Sequence, residues 1–466
     1  MNRRYEYLSL AGMIILSLFS ILFYQERTLL TDTAYYLFRM STEMSFNVEL
    51  NRWSAVLPET LPLLMMYLKQ PTQWVLLSYS LSFWLVFMGL FVLMVRGFKN
   101  TESGVALVLA FTFFLRQSYY HSVTETHQAV AWSLLLYAWL MYGNADKKYV
   151  YSGIALLICL PGYFSHPVSL FMQLFAIAYA GVNRNMLKHQ GLWMVVLALF
   201  GLYLAKVLST ESASYEGNFF GEIRRMPEHL PGLLHSFGVR FIIHHFFDLY
   251  LLPFLSGILL LYVYLKEKRY LHLSLYVIGT ALFLMITLTA YHAGDADIMT
   301  EKNLMPLSVF LALPFVRDVL LNDRIPYARL KTLWLSICIA FGLWGIYHEG
   351  LHQGKRLAWM KCNIDAVKAS GRQKVYITES AIDSRHAGPV WALSHETLWY
   401  SSLLYGPDGV ASIYTTPDLS KLPSEIQYDD LYLSVHFWPV YGVGNLNSTY
   451  FRFRPERYTP MYVNCP

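Results

Sequence analysis

Charge is what this sequence has least of. Only 14% of its 466 residues are Asp, Glu, Lys or Arg, while 55% are hydrophobic and the mean hydropathy is +0.35. That excludes an ordinary soluble globular protein, in which about a quarter of residues are charged. There is no basic tract suited to nucleic acid, and the net charge of +5 is modest. Cysteine is sparse as well, with four in all and none at the spacing of a zinc site. Cys159 and Cys338 lie inside apolar runs and read as packing residues. Cys362 and Cys465 lie in the C-terminal tail and would be able to pair if that tail faces an oxidising compartment. There is no internal repeat and no low-complexity tract.

What the chain has instead is a series of nearly uncharged apolar runs, most of them 16–20 residues long, each able to cross about 30 Å of hydrocarbon. About eleven spans are expected: Leu8–Tyr24, Thr72–Val95, Ser103–Leu115, Gln128–Tyr142, Val150–Ser165, Pro167–Val182, Gly191–Leu208, Phe246–Leu265, Tyr270–Tyr291, Leu304–Leu321 and Thr332–Tyr347. The pair around Pro161-Gly162 and His166-Pro167 reads equally as a re-entrant hairpin, which leaves the parity unchanged. The first run ends in Phe-Tyr-Gln-Glu-Arg without a small-residue cleavage site, so it is expected to remain as a span.

Alternate loops differ in charge. Arg3/Arg4, Arg96/Lys99, Lys147/Lys148, Arg184/Lys188, Lys266/Lys268/Arg269 and Arg324/Arg329/Lys331 form a short, basic set, which marks the cytoplasmic side. The other set is longer and mixed in charge. The N-terminus is therefore expected inside and the tail outside. Residues 1–347 are expected to form the membrane bundle, with a first outer loop over 25–71, and residues 348–466 a small soluble α/β domain. In that domain Lys355–Ser370 and Trp391–Tyr405 read as helices, and Lys374–Glu379, Val410–Tyr414 and Asp430–Trp438 as strands.

Three polar clusters fall on the outer side. The first is Asp32 with Tyr35, Tyr36 and Arg39, just beyond the first span. The second is His121, Glu125 and His127, at the entry to the fourth. The third is His292, Asp295, Asp297, Glu301 and Lys302, before the tenth. Charged groups at the mouth of a membrane bundle are costly unless hydrated or paired, so their convergence points to a polar cavity. A carboxylate there is equipped to deprotonate a hydroxyl or amine, and Lys302, Arg39, Arg224 or Arg225 to hold a phosphate. Each residue also has a plainer reading. Asp32 would be a solvated loop carboxylate, Glu125 a helix cap, Lys302 a snorkelling side chain, His166 a hinge, and His292-x-x-Asp295-x-Asp297 a hydrated loop.

Asp32-Thr33-Ala34-Tyr35-Tyr36 after the first span, Glu125 near the start of the fourth, and Lys302-Asn303-Leu304-Met305-Pro306-Leu307 opening a late span together resemble the GT-C class of membrane glycosyltransferases. These enzymes use lipid-phosphate sugars, and the class includes protein mannosyltransferases and lipid A aminoarabinose transferases. The overall plan is similar too. The chain departs from the class in having a lone Asp32 after Thr31, where two acidic residues are common. It also has Asn303 and Leu304 where Arg and Tyr are common.

The resemblance implies an inverting hexosyl- or pentosyltransferase that moves a sugar from a polyprenyl-phosphate-linked donor to a glycan, lipid or protein acceptor outside the cytoplasm. Asp32 and Glu125 would be catalytic, with Asp32 the base. Lys302, Arg39, Arg224 and Arg225 would face the donor phosphate, and Tyr35, Tyr36, His127, His292 and Asp295 would line the pocket. The scheme requires no metal, though a divalent ion is compatible with it. The setting would be a membrane, a bacterial inner membrane with the C-terminal domain periplasmic. The competing readings are a lipid-linked glycan polymerase or ligase, a transporter or flippase of lipid-linked glycan, and a non-catalytic envelope scaffold.

Overall fold

The computed structural model describes all residues except Met1, Thr124, 212–214, Ala293, Asp295, 383–388, 435–439, 462–464 and Pro466. The long apolar runs fold as helices because a backbone without water must satisfy its own hydrogen bonds. Near the N-terminus lie α1 (Asn2–Leu22), α2 (Tyr24–Thr28), α3 (Thr31–Glu43) and α4 (Val56–Tyr67). Next come α5 (Thr72–Val92), α6 (Thr101–Phe114), α7 (Glu125–Tyr142), α8 (Lys148–Tyr163), α9 (Ser169–Asn183) and α10 (Gln190–Ser209). Then follow α11 (Tyr215–Arg224), α12 (Met226–His229), α13 (Phe237–His244), α14 (Leu251–Lys266), α15 (Tyr270–Ala290), α16 (Asp297–Leu304), α17 (Leu307–Phe315) and α18 (Ala328–Ala369).

Six helices among the described residues are long and apolar enough to cross a membrane: 3–22, 72–97, 190–209, 246–266, 270–290 and 328–369. A seventh span results if α16 and the helix over 307–320, bent by 46° at Met305-Pro306, count as one. The other expected spans fold as α6, α7, α8 and α9, of 14, 18, 16 and 15 residues. At 1.5 Å per residue α6, α8 and α9 reach only about 21–24 Å, short of the roughly 30 Å of hydrocarbon, while α7 reaches about 27 Å but opens on the polar run Glu125-Thr126-His127-Gln128. Of these, α6 and α7 are the most deeply buried. All but one residue of α6 is buried, and it packs on α1, α7, α17 and α18. A helix apolar on every face belongs in the interior. Gly342 of α18 meets α6 so closely that a methyl there would overlap the Thr112 carbonyl. Small residues permit this kind of backbone approach.

The short basic loops gather at one end of the bundle. Arg96 pairs with Glu6 at 3.6 Å, Thr101 donates to Glu6, and Arg317 holds Glu102 at 2.6 Å. Arg269 pairs with Asp318 at 2.7 Å, and Arg184 donates to the carbonyls of Leu140 and Gly143. Asp32, Glu125 and Lys302 lie at the opposite end.

No break occurs at residue 348. The 42-residue α18 runs about 60 Å, twice the hydrocarbon thickness, and carries the chain from the bundle into the C-terminal region. There β1 (Lys374–Thr378) pairs in parallel with β2 (Ser412–Thr416) and with β5 (Thr459–Pro460), and α19 (Leu393–Tyr405) lies between β1 and β2 in sequence and packs on β2. A second, two-stranded ladder joins β3 (Leu431–Tyr432) to β4 (Tyr441–Gly442). The expected strand over 430–438 is thus reduced to two residues, and its end lies outside the described residues. Cys362 and Cys465 form a disulfide between α18 and the chain's end.

Candidate active site

Asp32 stands in the first turn of α3, where the helix dipole favours a negative charge. The turn is entered through Thr31 at φ 40°, a left-handed conformation unfavourable for a β-branched residue. The Asp32 side chain is 23% exposed, and its Oδ2 lies 2.9 Å from Nε2 of the fully buried His121. The other ring nitrogen, Nδ1, is 2.9 Å from the Val123 carbonyl. A carbonyl only accepts, so Nδ1 donates to it, and the ring is fixed between Val123 and the Asp32 carboxylate. Burial pushes the Asp32 carboxyl up, but His121 and Lys302 more than reverse this, and its pKa lies below the ordinary 3.8.

Glu125 opens α7 and is buried. It lies 2.9 Å from Lys302 of α16 and 2.6 Å from Arg52 of the first outer loop. Arg52 continues to Glu216 of α11 at 3.9 Å, and Glu216 to Lys206 of α10 at 3.0 Å. A chain of alternating charges thus joins five segments of sequence. Buried ions survive only in such company. Lys302 and Arg52 face Glu125, and Arg52 and Lys206 face Glu216, so that these three cations and two carboxylates lie beside the Asp32 carboxylate. Tyr36 lies beside Glu125 and Asp32, and burial first, then these carboxylates, hold its hydroxyl well above the usual range. Glu59 of α4 is fully buried; burial pushes its carboxyl up to about 8, and its Oε2 accepts from the Asn47 amide at 2.9 Å.

The structure therefore brings Asp32, Tyr36, Glu125 and Lys302 together, with His121 as the immediate partner of Asp32. Other expected residues stand elsewhere. Arg39 is held by Glu43, by Glu49 at 3.2 Å and by the Tyr35 hydroxyl at 3.0 Å. Arg224 is exposed, and Arg225 pairs with Glu222 and Glu228 on an exposed face. Tyr35 packs against Trp391 and His395. His127 is buried with Phe111 at the edge of its ring. The His292 ring stacks on His229 at 4.8 Å, and His229 lies 2.8 Å from Glu222. Asp295 lies outside the described residues. Asp297 comes within 3.9 Å of His245. Glu301 has a structural task, accepting from the amides of Arg116, Gln117 and Ser118 and from the Ser118 hydroxyl. His166 is buried and folded onto its own loop, accepting from the Val168 amide. Among the described residues no group of three or more His, Cys, Asp or Glu side chains is arranged to hold a metal ion.

The sequence reading does not anticipate Arg52, Glu216, Lys206 and Glu59 as part of this cluster. Arg52 and Glu59 lie in an aromatic-rich loop, and nothing in their spacing sets them apart from solvated charges.

Comparison with protein-family models, with curated proteins and with solved structures finds no match.

Proposed function

We propose that this chain is an inverting membrane glycosyltransferase that uses a polyprenyl-phosphate-linked sugar. The observation that carries this reading is the meeting, at one end of the bundle, of the partly accessible Asp32 carboxylate with a buried network that holds Lys302 and Arg52 on Glu125. Asp32 Oδ2 is taken by His121, which leaves Oδ1 to receive a proton from an acceptor hydroxyl or amine. As the acceptor bonds to the anomeric carbon, the carbon–oxygen bond to phosphate breaks and its electrons leave with the phosphate. Lys302 and Arg52 are the cations placed to stabilise that charge, the type of assistance that usually contributes most to rate. Arg52 takes the part that the sequence reading gives to Arg39, Arg224 and Arg225.

An apolar groove of about 270 Å³ between α14, α15 and α17, lined by Phe114, Tyr250, Phe254, Tyr276 and Leu311 among others, supports a lipid-linked donor. Under this reading the basic-loop end of the bundle is cytoplasmic, and the C-terminal region, as a small α/β domain, stands outside with the site. A polymerase or ligase would use the same chemistry. The bent α16–α17 pair favours a second reading, transport of a lipid-linked glycan, since broken helices line many transport sites.

The test is transfer of radiolabelled sugar from the lipid-linked pool of membranes containing wild type or Asp32→Asn. The substitution keeps size and hydrogen bonding but removes the base. We expect transfer to fall by at least about 100-fold at equal expression, the lower range for a general base. Full activity of Asp32→Asn would remove Asp32 from the role. Movement of lipid-linked sugar across the membrane, with no transfer even in wild type, would establish the transport reading instead.

A further inference from the structure

The loop that carries Asp32 is held from the other end of the chain. Glu396 of α19 is fully buried, and its Oε1 accepts the Thr31 amide at 2.6 Å. Its Oε2 accepts from Arg356 Nη2 of α18 at 2.5 Å. Arg356 in turn donates through Nη1 to the Leu29 carbonyl at 3.2 Å and through Nη2 to the Pro389 carbonyl at 3.1 Å. One buried ion pair thus grips the backbone on both sides of residue 30, directly before Asp32. The Thr31 amide belongs to the first turn of α3, where a helix supplies no acceptor of its own. Glu396 supplies it, and does so where Thr31 adopts its left-handed conformation.

The same helix is seated along its length. Phe38 lies with its ring centroid 4.4 Å from that of His395 and 5.2 Å from that of Tyr432. The His395 ring is itself fixed, by the Tyr432 hydroxyl at 2.9 Å and the Ser434 hydroxyl at 2.7 Å. At the far end of α3 the Asn447 amide donates to the Ser41 carbonyl at 3.0 Å. One side of α3 therefore meets the buried charge network and another meets the C-terminal region. The desolvation of a buried charge pair is repaid only when further hydrogen bonds satisfy it, and here those bonds go to the backbone beside Asp32.

We propose that Arg356 and Glu396 are positioning residues for Asp32, and that the C-terminal region acts as a backing plate for the helix that bears the base. The proposal rests on the reading of Asp32 as that base. The described contacts of Arg356 and Glu396 go to the backbone beside residue 30, whereas those of Lys302 and Arg52 go to Glu125, so donor binding and base placement are tested separately.

The test compares full-length wild type, Glu396→Gln and Arg356→Lys in nanodiscs, by hydrogen-exchange mass spectrometry and by transfer kinetics. Glu396→Gln keeps an acceptor for the Thr31 amide but removes the ion pair, and Arg356→Lys keeps the charge but removes the fork. We expect the peptide spanning residues 29–38 to exchange at least tenfold faster in both variants, with peptides around Arg52 and Glu125 unchanged. We expect kcat to fall at least tenfold, with KM for the lipid-linked donor within twofold of wild type. Wild-type exchange at 29–38, an unchanged kcat, or faster exchange spread over the whole chain in both variants would each overturn the proposal. The Asp32→Asn variant in the same assay separates the two ideas. If it retains full activity, the base reading fails on its own account. If it is inactive while Glu396→Gln and Arg356→Lys behave as wild type, only the positioning role fails.

Discussion

At the scale of single residues, the site is a set of ionisable groups driven in different directions by their surroundings. His121 and Lys302 hold the Asp32 carboxyl below its ordinary value, whereas burial pushes the Glu59 carboxyl up to about 8. The signs for stability follow. The depressed Asp32 contributes stability above its unfolded value, and that contribution is lost as pH falls through the folded one. For Glu59 the folded value is raised, so its contribution is full below the unfolded value of about 4.5 and declines as pH rises toward 8. Glu59→Gln keeps the acceptor for the Asn47 amide and cannot ionise. Its Tm should match wild type near pH 5 and exceed it by several degrees at pH 8, read by thermal unfolding in detergent. A difference that does not grow with pH would rule out a buried neutral carboxyl. Asp32, Glu125 and Lys302 were legible from sequence because each stands where an apolar run begins or ends, and charge at such a point is conspicuous. Arg52, Glu216 and Glu396 were not. The contacts that tie them to the site span 73, 164 and 365 residues, and a lone charge in a polar loop carries no mark of where it will be buried.

At the scale of elements, hydropathy is a local property, and the helices it marks are present. Whether a helix crosses a membrane depends also on its length and neighbours. This is why α6, expected as a span, appears as a 14-residue helix enclosed by α1, α7, α17 and α18. The boundary expected at residue 348 marks a change of composition, yet the backbone of α18 passes through it without interruption. Close contact of α18 with α6 at Gly342 leads to a further prediction. Gly342→Ala should lower stability by about 1–3 kcal/mol, the usual cost of overpacking. Gly89→Ala in α5, where the added methyl meets open space, should leave it unchanged or slightly raised. Thermal unfolding of the two variants beside wild type decides this. Equal behaviour would mean that α18 and α6 are not packed so tightly.

At the scale of the whole molecule, α18 joins the C-terminal region to the bundle, and the disulfide between Cys362 and Cys465 ties the chain's end to the outer part of that helix. The bridge closes a separation of 103 residues. Replacing both cysteines with serine should cost about 2–4 kcal/mol of stability. A shift in mobility on non-reducing gels should be seen in wild type only. An unshifted wild-type band would show that the thiols are free. The arrangement also has a consequence in time. The turn that carries Asp32 is made first, and the carboxylate that holds it arrives 365 residues later. At about 5–20 residues per second, a ribosome needs roughly 20–70 s to cover that distance. If Asp32 is the proposed base, its turn gains this support only once the helix bearing Glu396 has been made and has folded against it.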